Sequence, residues 1–162
     1  VVAAWTAHGL PDGVAVIWAT GKQQAAAYLD RESGMVRVRP YLAPIADAYA
    51  AADLAVTRAG AMTIAELCAW GIPALLVPLP SAAQDHQTHN AQATQASGAA
   101  RYLPQHSFTV ATLDAAVRAL RDDRTSLTNM HHAALERARP GAAAEIAKSV
   151  IATLGVDAVG IG

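Results

Sequence analysis

Two short stretches hold the residue types from which a binding site can be built. In TRAGAMTIAEL (57–67), Gly60 stands between Ala59 and Ala61, and Thr63 and Glu66 lie three apart before an apolar run. Small residues let a ligand approach the backbone, and the free N–H groups at a helix start attract an anion such as phosphate. A carboxylate one turn later could then hold sugar hydroxyls. The same Thr-x-x-Glu spacing is also that of a capping box, in which Thr63 caps the helix and Glu66 folds back onto its start. The stretch alone leaves both readings open. In PLPSAAQDHQTHN (78–90), Asp85, His86, Gln87, His89 and Asn90 crowd into six positions. On a helix, His86 and Asn90 are four apart and Gln87 and Asn90 three apart, so three hydrogen-bonding side chains can converge on one ligand. Neutral donor–acceptor groups suit sugar hydroxyls and an acetamide; the alternative is a solvated helix start, with Asp85 favourable to the dipole. A metal reading, from His86-x-x-His89 with Asp85, is weak, since two imidazoles three apart rarely close a site without a ligand from elsewhere and no H-E-x-x-H is present.

These stretches need a scaffold, and the chain alternates in a way that supplies one. Apolar, β-branched runs stand at 14–20, 35–41, 53–58, 74–80 and 100–104. Ala-rich helical segments are predicted at 22–32, 43–52, 62–70 and 84–97, with a further pair at 109–121 and 141–154. Strands that are apolar throughout, alternating with helices, predict an α/β domain: a Rossmann-like parallel sheet flanked by helices. In such folds ligands lie beyond the carboxyl ends of the strands. That rule selects the loops at 20–23, 41–44, 58–63 and 78–90. His131 and His132 are read as part of a polar connector, and the Gly-rich end, 155–162, as a frayed tail beyond a single domain at 1–154.

At 162 residues the chain can bury a proper core, built from small aliphatics because aromatics make up only 5%. The net charge of -1 and the lack of a basic run give no electrostatic case for nucleic acid. The most apolar stretch, 67–83, is broken by Gly71, Pro73, Pro78 and Pro80 and is not a membrane span. Cys68 has no partner for an internal disulfide and reads as a buried thiol. There is no G-x-G-x-x-G, no G-x-x-x-x-G-K-[ST] and no nucleophile elbow. The opening VVAAWTAHGL reads as the second half of a helix.

Residues 48–91 closely resemble the C-terminal half of the MurG family, which transfers N-acetylglucosamine (GlcNAc) from UDP-GlcNAc to lipid I to form lipid II in peptidoglycan synthesis. The family pattern runs as Y-x-x-A-D, R-[AS]-G-A-x-T-x-x-E, G-x-P-[AS]-x-L-[VI]-P-[LF] and D-x-Q-x-x-N-A, and all four blocks occur here in order. IWATGK (17–22), 38–54 and 134–154 match as well.

The resemblance implies the donor domain of an inverting hexosyltransferase of the GT-B type. In it the loop opened by Gly60, with Ala61, Met62 and Thr63, would hold the diphosphate. Glu66 would accept from both ribose hydroxyls, and Leu42 would offer its backbone to the uracil edge. His86, Gln87 and Asn90 would contact the GlcNAc; His86 departs from the Gln common at its position. Arg58 matches a family position that either faces the phosphates or props the loop. No catalytic residue, metal or cofactor is implied in this segment, UDP-GlcNAc being the donor substrate. The family's first strand and Gly-rich G-G-S loop, and its acceptor half with the lipid I site and membrane contact, find no match. The expectation is therefore a truncated donor domain, inactive alone, from an enzyme at the cytoplasmic face of the inner membrane. Other UDP-sugar glycolipid transferases, or a non-catalytic UDP-sugar-binding module, are the alternatives.

Overall fold

The computed structural model describes residues 1–80 and 85–154. Residues 81–84 of the second candidate loop and the tail expected to fray at 155–162 lie outside the described residues. Helix α1 (Val2–His8) precedes β1 (Val16–Ala19), and β2 (Val36–Arg39) leads to α2 (Ile45–Ala50). Then β3 (Ala55–Thr57), α3 (Ala61–Trp70), β4 (Ala74–Leu76), α4 (His86–Ala96) and β5 (Ala100–Tyr102) alternate. Helices α5 (Val110–Asp122), α6 (Arg124–Arg137) and α7 (Ala142–Thr153) follow.

All strand pairings are parallel, as the apolar strands predict, but the strands form two sheets instead of one. β1 pairs with β2, and β3, β4 and β5 pair in that order. The two sheets nevertheless share packing. Val16 of the first, with Val14 just before it, and Leu75 of the second, with Leu54 just before β3, meet one cluster with Trp5, Leu113, Val117, Leu120 and Met130. Within the larger sheet β4 is central, and Ala74, Leu75 and Leu76 are all buried because helices cover both faces.

Trp5 anchors α1 on α5. Its ring is buried and its indole N–H donates to Asp114 at 2.9 Å. The Arg118 guanidinium and then the Trp5 N–H hold the Asp114 carboxyl below the usual carboxylate range. Trp5→Phe removes ring volume and this donor together, and is expected to lower stability by about 2 kcal/mol in urea titration.

Two predicted elements are corrected. Residues 22–32 contain a short 3₁₀ turn, Ala25–Arg31, in place of an α-helix, and none of its residues is buried. Its ring contact, Tyr28 on Trp18 at 4.7 Å, is made from a half-buried position, so little buried apolar surface rewards a regular helix there. The stretch read as a polar connector around His131 and His132 is helix α6, which lies against α3. It buries Met130 and Ala134, with Leu127 and Ala133 packed beside them, a sparse stripe interrupted by polar residues. A start signal was present: the Asp123 carboxylate accepts from the Ser126 N–H at 2.9 Å and caps α6.

α3 ends in a Schellman motif. Gly71 is left-handed (φ 67°), its N–H donates to the Cys68 carbonyl at 3.0 Å, and the Ile72 N–H donates to the Leu67 carbonyl at 2.8 Å. His131, expected at the surface, reaches from α6 to donate Nδ1–H to the Gly71 carbonyl at 2.6 Å. α7, by contrast, buries no residue and presents Ile146 and Val150 to solvent, as does Leu154 at its C-cap.

Candidate functional site

The carboxyl ends of β3, β4 and β5 carry three loops that are stitched to one another. Arg58 follows β3. Its Nη1 donates to the carbonyls of Val77 (3.1 Å) and Pro78 (3.2 Å) beyond β4, and to the side chain of Gln105 beyond β5. Of the two roles open to Arg58 in the sequence, the structure shows the prop. Arg58→Met keeps the stem but strips these bonds, and is expected to cost about 1–2 kcal/mol of stability in a denaturant titration.

Ala59 is fully buried and is gripped from α4. Its N–H donates to Gln87 Oε1 (3.2 Å), which also accepts from the Leu79 N–H (3.0 Å). Asn90 Nδ2 donates to the Ala59 carbonyl at 3.1 Å. Gln87 and Asn90 thus each use one end of the amide to hold the loop, leaving Gln87 Nε2 and Asn90 Oδ1 as the groups a ligand could meet. His86, the first residue of α4, is exposed.

The start of α3 excludes the capping-box reading of Thr63 and Glu66. The N-cap is Gly60, and no side chain caps the helix. The Ile64 N–H makes the first helical bond, to the Gly60 carbonyl at 3.0 Å. Helix geometry therefore leaves the N–H groups of Ala61, Met62 and Thr63 without partners in the helix, at its positive end. Thr63 is the third helical residue and half-buried, so it cannot be the cap of a box. Glu66 does not fold back: its Oε2 accepts from the Tyr49 hydroxyl of α2 at 2.8 Å. Among the described residues a capping box lies elsewhere, between Thr109 and Thr112 at the start of α5.

Glu66 is exposed one turn, about 5.4 Å along the axis, beyond Met62, itself 75% exposed. A helix start able to hold an anion and an exposed carboxylate able to accept from hydroxyls thus lie about one turn apart on α3. Leu42 is half-buried in the loop between β2 and α2, the element that carries Tyr49. Tyr49 stands in the quoted Y-x-x-A-D block, yet nothing in the sequence assigned it a role. Gln105 gave no signal either. Cys68 is buried, and burial pushes its thiol up.

The family description Glycosyltransferase family 28 C-terminal domain matches residues 6–149. The chain belongs to this family. Among curated glycosyltransferase family 28 relatives is the UDP-N-acetylglucosamine--N-acetylmuramyl-(pentapeptide) pyrophosphoryl-undecaprenol N-acetylglucosamine transferase of Methylococcus capsulatus. It is 47% identical over 112 residues, 69% of this chain and 32% of that protein. The enzyme of the same name from Halorhodospira halophila is 48% identical over 110 residues, 68% of this chain and 31% of that one. The crystal structure of Acinetobacter baumannii MurG superposes with a TM-score of 0.79 at 31% identity, covering 90% of this chain and 45% of that one. The chain thus spans about a third of the length of the curated relatives it matches. The domain architecture expected from the four sequence blocks, parallel strands flanked by helices in a GT-B half, is that of the family 28 domain.

Proposed function

We propose that the chain is the donor-binding part of an inverting hexosyltransferase that moves GlcNAc from UDP-GlcNAc to lipid I, forming lipid II. The observation that carries this reading is the uncapped start of α3 with Glu66 one turn beyond it, at the carboxyl end of β3. The N–H groups of Ala61 to Thr63 and the Thr63 hydroxyl take the diphosphate, and Glu66, a carboxylate with two acceptor oxygens, takes the ribose diol. Leu42 offers its backbone to the uracil. His86, Gln87 Nε2 and Asn90 Oδ1 face the sugar.

In the transfer itself the acceptor hydroxyl displaces UDP from the anomeric carbon in one step. Negative charge grows on the departing diphosphate, where the helix start stabilises it with fixed dipoles that need no reorganisation. No metal is needed for that charge in this reading. The acceptor site and the base belong to a part of the enzyme outside these residues, so the chain by itself binds the donor without turning it over. Among the described residues no helix is long and apolar enough to cross a membrane; membrane contact, at the cytoplasmic face, falls to the acceptor half.

Calorimetric titration with UDP, UDP-GlcNAc and UDP-glucose tests the reading. UDP should bind, and UDP-GlcNAc should bind more tightly than UDP-glucose. A folded sample that binds no uridine nucleotide overturns it. Equal affinity for the two sugars would shift the assignment to another UDP-sugar glycolipid transferase.

A further inference from the structure

We infer that Tyr49 is a positioning residue of this donor site, its hydroxyl fixing Glu66 through Oε2 so that Oε1 stays turned outward for a ribose diol. The inference rests on the reading of Glu66 as the diol acceptor and adds the group that holds it.

A glutamate on an exposed helix face has three rotatable bonds, and ordering it for a ligand costs side-chain entropy. Here much of that ordering is done beforehand by a different element. Tyr49 comes from α2, 17 residues earlier in the chain, and meets the carboxylate at 2.8 Å. The phenol carries a single proton, so it occupies one acceptor position and leaves the others of the carboxylate for ligand hydroxyls. Its ring is in turn backed by Trp70, one turn past Glu66 on α3, at a centroid distance of 6.0 Å and a tilt of 52°. Glu66, Tyr49 and Trp70 therefore form a chain of support running from the outer face of α3 to α2 and back. Desolvation, and then the neighbouring Glu66 carboxylate, push the Tyr49 phenol up to about 12, so it stays a donor throughout the neutral range. A tyrosine needed only for packing would have no reason to aim its hydroxyl at the one carboxylate of this face.

The test is calorimetric titration of UDP and of 2′,3′-dideoxy-UDP into the wild-type chain and the Y49F, E66A and Y49F/E66A variants. Phenylalanine keeps the ring against Trp70, so a thermal melt and the Trp70 environment serve as controls for the fold. The expected result is that Y49F weakens UDP about five- to tenfold, the scale of one hydrogen bond, and leaves dideoxy-UDP unchanged. In the E66A background, Y49F should change neither. If Y49F leaves UDP affinity intact, or weakens both nucleotides alike while E66A still abolishes the preference for UDP, Tyr49 only packs and the inference fails alone. If the wild type does not prefer UDP over its dideoxy form, or E66A retains the preference, the diol assignment itself fails and takes the inference with it.

Discussion

Replacing Gly71 with alanine is expected to lower stability by about 3 kcal/mol, a large part of the 5–15 kcal/mol that holds a typical domain together. Two independent costs add at this position. Gly71 closes α3 at φ 67°, a left-handed conformation in which a Cβ costs about 1–2 kcal/mol. A Cβ there would also stand 2.6 Å from His131 Cε1, 2.7 Å from Nδ1 and 3.0 Å from Leu135 Cδ2, closer than packed atoms approach. To make room His131 must leave, and its bond to the Gly71 carbonyl goes with it. Urea denaturation of G71A measures the sum. G71A/H131A should recover part of the loss, because it removes the clash with His131 while keeping the left-handed cost and the close approach to Leu135. A G71A domain within 0.5 kcal/mol of wild type would mean that α6 does not press on the end of α3 as described.

Glu66→Ala is expected to reduce uridine nucleotide affinity at least a hundredfold while changing stability by less than about 1 kcal/mol. The binding figure follows from losing two hydrogen bonds to a charged acceptor, each worth about 1.5–3 kcal/mol. The small stability figure follows from the position of Glu66: exposed, mid-helix, capping nothing, and bonded to a single tyrosine hydroxyl. Alanine is also the best helix former, which offsets part of that lost contact. Titration calorimetry paired with a thermal melt separates the two effects. An E66A domain that melts early and binds UDP normally would return Glu66 to a structural role and remove the support for the nucleotide site.

Much of this arrangement could be read before any coordinates. The five apolar runs are all parallel strands, each a few residues shorter at its ends than its run, and the loops at their carboxyl ends hold the candidate residues. Local chemistry suffices there, since β-branched runs, Gly punctuation and strand–helix alternation act over a few neighbouring residues. Helix α6 escaped for the opposite reason: its apolar stripe, Leu127, Met130 and Ala134, is sparse among polar residues, and its position depends on distant partners, through those residues in the core and His131 at Gly71.

The candidate site divides along the same line. The sequence alone determined which groups are present, in what order, and which family they belong to: a Gly between alanines, a threonine, a carboxylate one turn on, and amides a strand and a loop later. Only the tertiary structure decided what each one faces. An amide or a guanidinium can brace a loop or bind a ligand with the same donors and acceptors, so its type and spacing do not distinguish the two. Arg58 braces because the ends of β4 and β5 bring the carbonyls of Val77 and Pro78 and the side chain of Gln105 within its reach. Gln87 and Asn90 brace in part because Ala59, 28 and 31 residues away, folds beneath them. Glu66 was free to turn back to its own helix or outward. In the folded chain it accepts from Tyr49, brought from α2, instead of turning back.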